Sequence, residues 1–209
     1  MYNGVVRVYV CTIKTINIFL QNKKTKTMKK VLTIAAITIA AFSAKAQTSS
    51  TATQTVNLNL SNAIELTFTG SGTATGAAVN LAFNTVNDYA NGVTSANQEL
   101  RVRSNRRFGV TVRTNNANFT YTGAVTPAPV MPVSGVLGLK IGANSTGGAI
   151  ASPFSTSAYA GLTSTAQNLI TNAANGGNQL FSVSYEAQPG FTYPAGTYTV
   201  DVVYTATQL

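Results

Sequence analysis

Residues 99–114 read ELRVRSNRRFGVTVRT, and the order of apolar and polar side chains in this stretch decides the fold class. Apolar residues recur at every second position on both sides of a polar centre, namely at Leu100, Val102, Phe108, Val110 and Val112. A repeat of two places alternate side chains on opposite faces of a β-strand. The stretch therefore predicts strand structure with one buried face and one face in water.

The same alternation recurs along the chain. In residues 55–69 (TVNLNLSNAIELTFT) apolar side chains take even positions from Val56 to Phe68, which predicts one long strand. Asn62 interrupts this series, so we expect a bulge or kink in the middle of the strand. Further strands are predicted at residues 79–83, 119–121, 136–141, 166–171, 181–187 and 198–206, separated by turn-forming residues such as those of 91–92 and 172–179.

These patterns predict an all-β fold, an antiparallel β-sandwich of about seven to nine strands. Residues 162–172 are the one stretch with some helical character, and their threonine content favours a strand there too. We expect residues 55–209 to form a single β-sandwich domain. Residues 47–54 (QTSSTATQ) have no large apolar side chain and are expected to be a flexible lead-in to it.

Residues 28–46 (MKKVLTIAAITIAAFSAKA) have the organisation of a signal peptide. Two lysines precede the uncharged, mostly apolar residues 31–42, a run shorter than the about twenty residues that a membrane-spanning helix needs. Small side chains and a following glutamine mark the expected cleavage site at Ala44, Ala46 and Gln47. The sequence therefore predicts export to the periplasm, the cell surface or the extracellular space, with no membrane span in the mature chain.

Residues 1–27 precede this signal and have two explanations. They are either an extended positively charged start of the signal peptide or the result of a start assigned too early, with Met28 as the true initiator. We favour Met28, because MKK followed by an apolar run is how such signals ordinarily begin. Both explanations remove residues 1–27 from the mature protein.

The charge of the whole chain misrepresents its mature part. Lysine and arginine number 14 against 5 acidic residues, a net charge of +9, but eight of those bases and none of the acids lie in residues 1–46. The net charge from Gln47 onward is +1, so the basic composition gives no support for nucleic-acid binding. Cys11, the only cysteine, also precedes the cleavage site, and a domain of this size builds its core without disulfides.

The last part of the chain contains a hairpin motif. Residues 181–208 (FSVSYEAQPGFTYPAGTYTVDVVYTATQ) comprise a strand, a turn at Pro189-Gly190 and a YPAGTYT motif that leads into a terminal strand. This hairpin resembles the C-terminal hairpin of secreted bacterial β-sandwich domains, among them WxL-type cell-surface domains and spore-coat-U-like and fimbrial-type subunits. The resemblance implies an immunoglobulin-like or fimbrial-type sandwich at the cell surface. Tryptophan is absent from the chain, so the motif that names the WxL domains, and peptidoglycan binding with it, does not carry over.

The side chains on which most enzymes depend are missing. The chain has no histidine, and no cysteine follows the leader. Ser-His-Asp and Cys-His catalysis are therefore excluded, and zinc and other transition metals lack their usual ligands. An oxygen-rich loop at Asn84, Asn87 and Asp88 has one carboxylate, which favours a turn over a calcium site. We expect no enzymatic activity, no catalytic residue, no metal and no cofactor.

Arginine is concentrated in the stretch that decides the fold. Strand alternation places four arginines on its polar face, at Arg101, Arg103, Arg107 and Arg113. They form either an anion-binding stripe for surface polysaccharide or lipid phosphate, or a wet sheet face paired with carboxylates of neighbouring strands, which we favour. The expected carboxylate partners are Glu65, Glu99 and Asp201. Nucleic acid is not an expected ligand, because aromatic side chains do not interleave with the arginines.

Arg106 would fall on the buried face of the same strand. An unpaired guanidinium is costly to bury, so a bulge or turn is predicted at Ser104-Asn105-Arg106.

Aromatic side chains near the predicted turns offer a second type of binding site. Tyr89, Tyr121 and Tyr193 are candidates for stacking on sugar rings. Tyrosines in loops also plug the ends of a sandwich, and we favour that interpretation.

Two functions are consistent with these observations. The first is a non-enzymatic structural or adhesive protein at the cell surface, self-associating or bound to other surface proteins. Residues 47–54 lack bulky alternate side chains, so only the strand that begins at Val56 has the pattern needed for donation to a neighbour. The alternative is a carbohydrate- or peptidoglycan-binding module with surface polysaccharide as its partner.

Overall fold

The computed structural model describes residues 49–209. The predictions about residues 1–27, the signal peptide at 28–46 and the cleavage residues Ala44, Ala46 and Gln47 lie outside the described residues. Residues 49–57 have no regular secondary structure and are exposed. All strands belong to the unit Leu58–Leu209.

Strands dominate the described part of the chain, and each of their pairings is antiparallel. The strands are β1 (Ile64–Phe68), β2 (Val93–Thr94), β3 (Gln98–Ser104), β4 (Phe108–Thr114), β5 (Thr120–Thr122), β6 (Leu137–Asn144), β7 (Ala149–Ile150), β8 (Ala160–Gly161), β9 (Gln167–Ala173), β10 (Gly176–Ala187), β11 (Thr197–Thr199) and β12 (Val202–Gln208). Seven of these twelve have five residues or more, and one short helix, α1 (Val86–Asn91), accompanies them. The predicted all-β antiparallel fold is confirmed.

Two main sheets pack face to face. The first has the order β1-β3-β10-β6-β8, with β2 continuing beside the end of β10, and the second has the order β12-β4-β9-β7. Strands β5 and β11 form a separate two-stranded ladder. Strands β1 and β12 are therefore edge strands, one in each main sheet.

The stretch at 99–114 joins the two layers. Strand β3 lies in the first sheet and β4 in the second, so residues 105–107 carry the chain across the sandwich. The Ser104 hydroxyl donates to the Arg106 carbonyl at 2.7 Å and accepts from the Arg106 amide at 3.2 Å, which fixes a bend. Arg106 is exposed, and the predicted turn is confirmed.

The core receives the predicted alternate side chains of both strands. Its largest fully buried members are Phe108, Phe181, Leu100, Leu139, Ile141, Leu162, Leu169, Ile170, Val102, Val110, Val112 and Val133. Residues from β3 and β4 lie in the same cluster, so the apolar faces of the two sheets point toward each other. Fully burying one such side chain contributes about 1.5–3 kcal/mol.

The long strand predicted at residues 55–69 forms only in its second half. β1 begins at Ile64, which pairs with the last residue of β3, Ser104, so the partner strand ends there. Without a partner, Val56, Leu58 and Leu60 remain 75%, 80% and 88% exposed. The alternation is present in the sequence, but the neighbour that would bury it is absent from the described residues.

The strand predicted at residues 79–83 is also absent. Val79, Leu81 and Phe83 pack partly buried against the core as their alternation requires. However, residues 76–83 belong to no ladder, and their backbone makes no hydrogen bond to another described residue. The pattern predicted the faces correctly and the backbone pairing wrongly.

Helix α1 was not predicted, although its capping signal is in the sequence. The Thr85 hydroxyl accepts from the Asp88 amide, and Asp88 Oδ2 accepts from the amides of Asn84 and Thr85 at 2.8 Å. These backbone hydrogen bonds lower the pKa of Asp88, because they stabilise the carboxylate. Asp88 is therefore engaged in capping the helix, in agreement with the turn-forming interpretation of this loop. No helix in the described residues has the length and apolar character to cross a membrane.

A pair of tyrosine hydroxyls connects the two sheets. Tyr185 of β10 and Tyr204 of β12 are 2.7 Å apart at their hydroxyl oxygens. Burial raises the pKa of Tyr185 and raises that of Tyr204 well above its ordinary value. Both phenols are therefore stabilised in their neutral form.

The raised pKa values of the two phenols predict a loss of stability at alkaline pH. The contribution of the pair is fully present below the unfolded pKa of about 10 and is lost as the pH rises through the folded values. Tyr204→Phe should lower the free energy of unfolding at pH 7 by about 1–3 kcal/mol, because the Tyr185 hydroxyl loses its partner. The same variant should flatten the decline above pH 10. Denaturant titrations between pH 7 and 11 measure both effects, with Tyr193→Phe as control; equal alkaline declines in all three proteins would contradict the assignment.

Candidate functional site

The four candidate arginines do not share one surface. Arg101 and Arg103 lie on the outer face of β3, and Arg113 lies on the outer face of β4, with Arg107 exposed between the strands. Since β3 and β4 belong to opposing sheets with a common core, their outer faces point in opposite directions. The single stripe expected from alternation along one strand is therefore wrong in its geometry.

Arg103 pairs with a carboxylate on the neighbouring strand. Glu65 of β1 is its register partner, and Arg103 Nη1 lies 3.5 Å from Glu65 Oε2. This is one of the pairings expected for a wet sheet face. Both side chains are about half exposed, and such a pair contributes less than about 1 kcal/mol. Asp201, another expected partner, instead accepts a hydrogen bond from the Asn115 side-chain amide at 2.7 Å.

The candidate tyrosines fall into two aromatic groups. Tyr89 packs between Phe83 and Phe191, with ring centroids 5.3 and 5.6 Å away. Tyr198 packs between the other two candidates, Tyr121 at 5.0 Å and Tyr193 at 6.4 Å. Tyr89 and Tyr193 line a cleft, described below, whereas Tyr121 does not.

Tyr121 is fixed by the chain around it. Its hydroxyl donates to the Ala195 carbonyl at 3.1 Å and accepts from the Val125 amide at 3.3 Å. A Cβ built on Gly123 or Gly196 would overlap its ring or hydroxyl, so the glycines permit this close packing. Tyr121 therefore acts as a plug for the loops, in agreement with the favoured interpretation.

The cleft has a volume of about 940 Å³ and opens between two segments of the chain. Residues 74–84 and residues 193–202 both line it. Its lining also includes apolar and aromatic side chains of the sandwich, most of them buried, namely Phe68, Phe119, Met131, Leu137, Tyr185 and Ala187. The cleft is therefore a place where the core of the sandwich is reached from outside.

Part of the chain that lines this cleft has backbone without a ladder partner. Residues 76–83 make no backbone hydrogen bonds to described residues. Strand β11 pairs with β5 along one edge only, and of β12 only Val202 lines the cleft. The other edge of β12 lies beside β1, where the rings of Tyr204 and Phe68 are 6.2 Å apart at their centroids. Unpaired edges of this kind are the groups to which an additional strand binds.

The cleft is almost uncharged. Asp201 is the only ionisable acid or base among its lining residues apart from the phenols of tyrosine. Loss of hydration, followed by the neighbouring phenols of Tyr121 and Tyr193, raises the pKa of Tyr198. The arrangement therefore suits an uncharged, amphipathic or apolar occupant.

A separate feature is the exposed segment 55–60, which is followed by hydrogen-bonded residues 61–63. The Asn105 side chain donates to the Ser61 carbonyl at 2.7 Å and accepts from the Ala63 amide at 2.9 Å. Gln208 donates to the Ala63 carbonyl at 2.8 Å. These bonds hold residues 61–63 at the start of β1 and leave the preceding apolar residues Leu58 and Leu60 in water.

No cluster of three or more acidic, histidine or cysteine side chains suited to a metal occurs within residues 49–209. Neither a scan of protein-family models nor a search of curated proteins found a match to this chain.

The cleft itself was not predicted from the sequence. Val79, Leu81 and Phe83, and likewise Val200 and Val202, were expected to be ordinary core residues of paired strands. The signal that was present, an alternating segment at 79–83 without charged residues, does not reveal whether its backbone has a neighbour.

A substitution at Gly196 tests how much the packing of Tyr121 contributes to stability. Gly196→Ala should lower the free energy of unfolding by about 1–3 kcal/mol, because the added methyl group displaces the Tyr121 ring and its hydrogen bonds. Gly177→Ala is the matched control, since nothing lies within 4 Å of its added Cβ. Thermal and denaturant unfolding compare the two, and equal stability would show that Tyr121 does not depend on Gly196.

Proposed function

We propose that this protein is an exported, non-enzymatic structural or adhesive subunit that associates with copies of itself at the cell surface or outside the cell. The observation that carries the proposal is the exposed, uncharged segment 55–60, in which Val56, Leu58 and Leu60 alternate with polar residues. An alternating segment buries one face when it joins a sheet, and its polar face remains in water.

Exposed apolar side chains in this pattern are stabilised when the segment joins a sheet that buries them. Burial of each valine or leucine contributes about 1.5–3 kcal/mol, and the added backbone hydrogen bonds supply direction and register. Isolated exposed apolar residues are common on proteins, but three at alternate positions of an unpaired segment match the requirement for strand addition. This agreement between pattern and exposure supports association through a strand.

The remaining parts of the proposal rest on the sequence. The signal-like residues 28–46 support export, and the resemblance of the hairpin at 181–208 to secreted sandwich domains supports a place at the cell surface. The lack of histidine and of cysteine after the leader supports a role without catalysis.

Self-association is tested with the chain covering residues 47–209. Light scattering over a range of concentrations should show oligomers, and Leu58→Asp with Leu60→Asp should shift the mass to that of a monomer. Loss of two buried leucines removes about 3 kcal/mol or more, which raises the dissociation constant about a hundredfold or more. Asn57→Asp with Asn59→Asp adds the same charge on the other face of the segment and should assemble.

Two results would contradict the proposal. One is a monomeric wild-type chain at every concentration. The other is equal assembly of the two aspartate variants, which would show that the apolar face of residues 55–60 is not used.

A carbohydrate-binding module is the second candidate, and one observation favours it. Phe191 is 66% exposed and stacks on Tyr89 at 5.6 Å with 24° between ring planes, which leaves an aromatic surface open to a sugar ring. Phe191→Ala should then weaken binding to soluble peptidoglycan fragments or surface polysaccharide, measured by calorimetry, while Val130→Ala, an exposed apolar control, should not. Saturable binding with this difference would support the module, and an absence of saturable binding would remove it.

A further inference from the structure

We infer that the end of the sandwich at which β3 turns into β4 docks on the surface of an anionic lipid bilayer. This end, called the basic end below, comprises the turn 105–107, residues 58–64 at the start of β1, and Leu209. It combines exposed apolar side chains with unpaired arginines, and these are the two kinds of group that an anionic lipid surface attracts. The inference does not depend on the proposed self-association.

Hydrogen bonds hold the parts of the basic end together. The Asn105 side chain donates to the Ser61 carbonyl at 2.7 Å, and the Leu209 amide donates to the Arg107 carbonyl at 2.8 Å. Ile64, the first residue of β1, is the register partner of the last residue of β3. The start of β1 and the residue after β12 are therefore both neighbours of the turn between β3 and β4.

The apolar side chains of the basic end are large and lie in water. Leu58, Leu60 and Leu209 are 80%, 88% and 58% exposed, and Ile64 is 38% exposed. Single exposed leucines are ordinary, but a group of four beside basic residues is typical of a binding surface. Contact with the hydrocarbon of a bilayer would remove this apolar surface from water.

The arginines of the turn are available to an anionic surface. Arg106 and Arg107 are exposed, and the one ion pair found in the described residues joins Arg103 to Glu65 instead. The terminal carboxylate of Leu209 is the second negative group at this end, so three arginines stand against two negative groups. Guanidinium groups bind phosphate oxygens with two parallel hydrogen bonds, which suits the phosphates of lipid headgroups.

The opposite end of the sandwich has the opposite sign of charge. Asp88, Glu186 and Asp201 lie toward that end, together with Arg113 and Lys140. Three acids against two bases make that end negative, whereas the basic end is positive. An anionic surface therefore attracts one end and repels the other, which orients the molecule with the turn 105–107 toward the surface.

The combination of groups selects lipid over a soluble polyanion. An acidic polysaccharide or a nucleic acid offers anionic groups to Arg106 and Arg107 but no apolar interior for Leu58, Leu60 and Leu209. A bilayer offers both, because hydrocarbon lies directly below its charged headgroups. Arginine suits this boundary, since its apolar stem lies along hydrocarbon while its guanidinium stays among the headgroups.

Vesicle binding tests the electrostatic part of the inference. The chain covering residues 47–209 is used, because it contains every strand and because the apolar residues 31–42 would bind lipid by themselves. It should sediment with vesicles of equal parts phosphatidylcholine and phosphatidylglycerol, and bind phosphatidylcholine alone about tenfold or more weakly. Arg106→Gln with Arg107→Gln should weaken binding to the mixed vesicles about tenfold or more, because each base near an anionic surface contributes roughly a factor of five.

The matched control is Arg113→Gln with Lys140→Gln, which removes the same charge toward the opposite end. Arg113 is five residues along β4 from Phe108 at the basic end, about 17 Å at roughly 3.4 Å each. Salt screens a charge beyond about 10 Å at ordinary ionic strength, so this pair should leave the affinity nearly unchanged.

A single tryptophan tests the apolar part. The chain has no tryptophan, so Leu209→Trp places one indole at the basic end, and Val130→Trp places one at an exposed apolar position elsewhere. Mixed vesicles should shift the emission of the first variant to shorter wavelength, and brominated lipid should quench it. The second variant should keep the emission of an indole in water. Thermal unfolding checks that every variant folds.

Three results would overturn the inference. One is an absence of binding to the mixed vesicles, and another is an equal loss of affinity in the two pairs of glutamine variants. The third is vesicle binding without an emission shift at position 209, which would show recognition of an anionic surface without contact with hydrocarbon.

Light scattering without vesicles separates this inference from the proposed function. Strand addition by residues 55–60 does not require Arg106, Arg107 or Leu209. Assembly without vesicle binding would reject the docking alone, and a monomer that binds vesicles would reject self-association alone. Assembly that is lost in Arg106→Gln with Arg107→Gln, in a chain that does not bind vesicles, would show that another copy covers the basic end.

Discussion

The hydroxyl contact of 2.7 Å between Tyr185 of β10 and Tyr204 of β12 connects the two sheets. Tyr204 lies on edge strand β12, and its ring also packs edge-to-face on Phe68 of edge strand β1, with centroids 6.2 Å apart. No ladder joins the edge strands β1 and β12, and the contacts between them are made by side chains. Phe68 also lines the cleft.

The two ends of β1 differ in the groups that lie beside them. At the start of β1, Asn105 and Gln208 supply side-chain hydrogen bonds to the backbone of Ser61 and Ala63, and thereby replace a missing strand neighbour. Toward Phe68 no such amides are present in the described residues, and residues 76–83 contribute only their apolar side chains. Edge strands are ordinarily protected by charge, proline or cover. β12 carries none of the chain's arginines, lysines or prolines, and its edge is instead covered by β1.

Sequence alternation predicted which side chains enter the core because burial depends on the face of a strand, and the face follows directly from a period of two. It predicted neighbours less well, because pairing depends on where another strand ends. Leu100 and Val110 were correctly expected to be buried, yet nothing in ELRVRSNRRFGVTVRT states that its halves belong to different sheets. The arginine stripe failed for that reason, since Arg103 and Arg113 share an alternation but not a surface. The pairing of Arg103 with Glu65 was among those expected for a wet sheet face, because opposite charges on adjacent strands are commonly paired.

The two places where the predicted strands failed have a common physical explanation. At Val56, Leu58 and Leu60 the alternating pattern has neither a buried face nor a backbone partner. At Val79, Leu81 and Phe83 the side chains reach the core, but the backbone has no partner. An alternating sequence is stable as a strand when both requirements are met. The alternation therefore predicts more strand than the described residues contain, because neither segment has a backbone partner there.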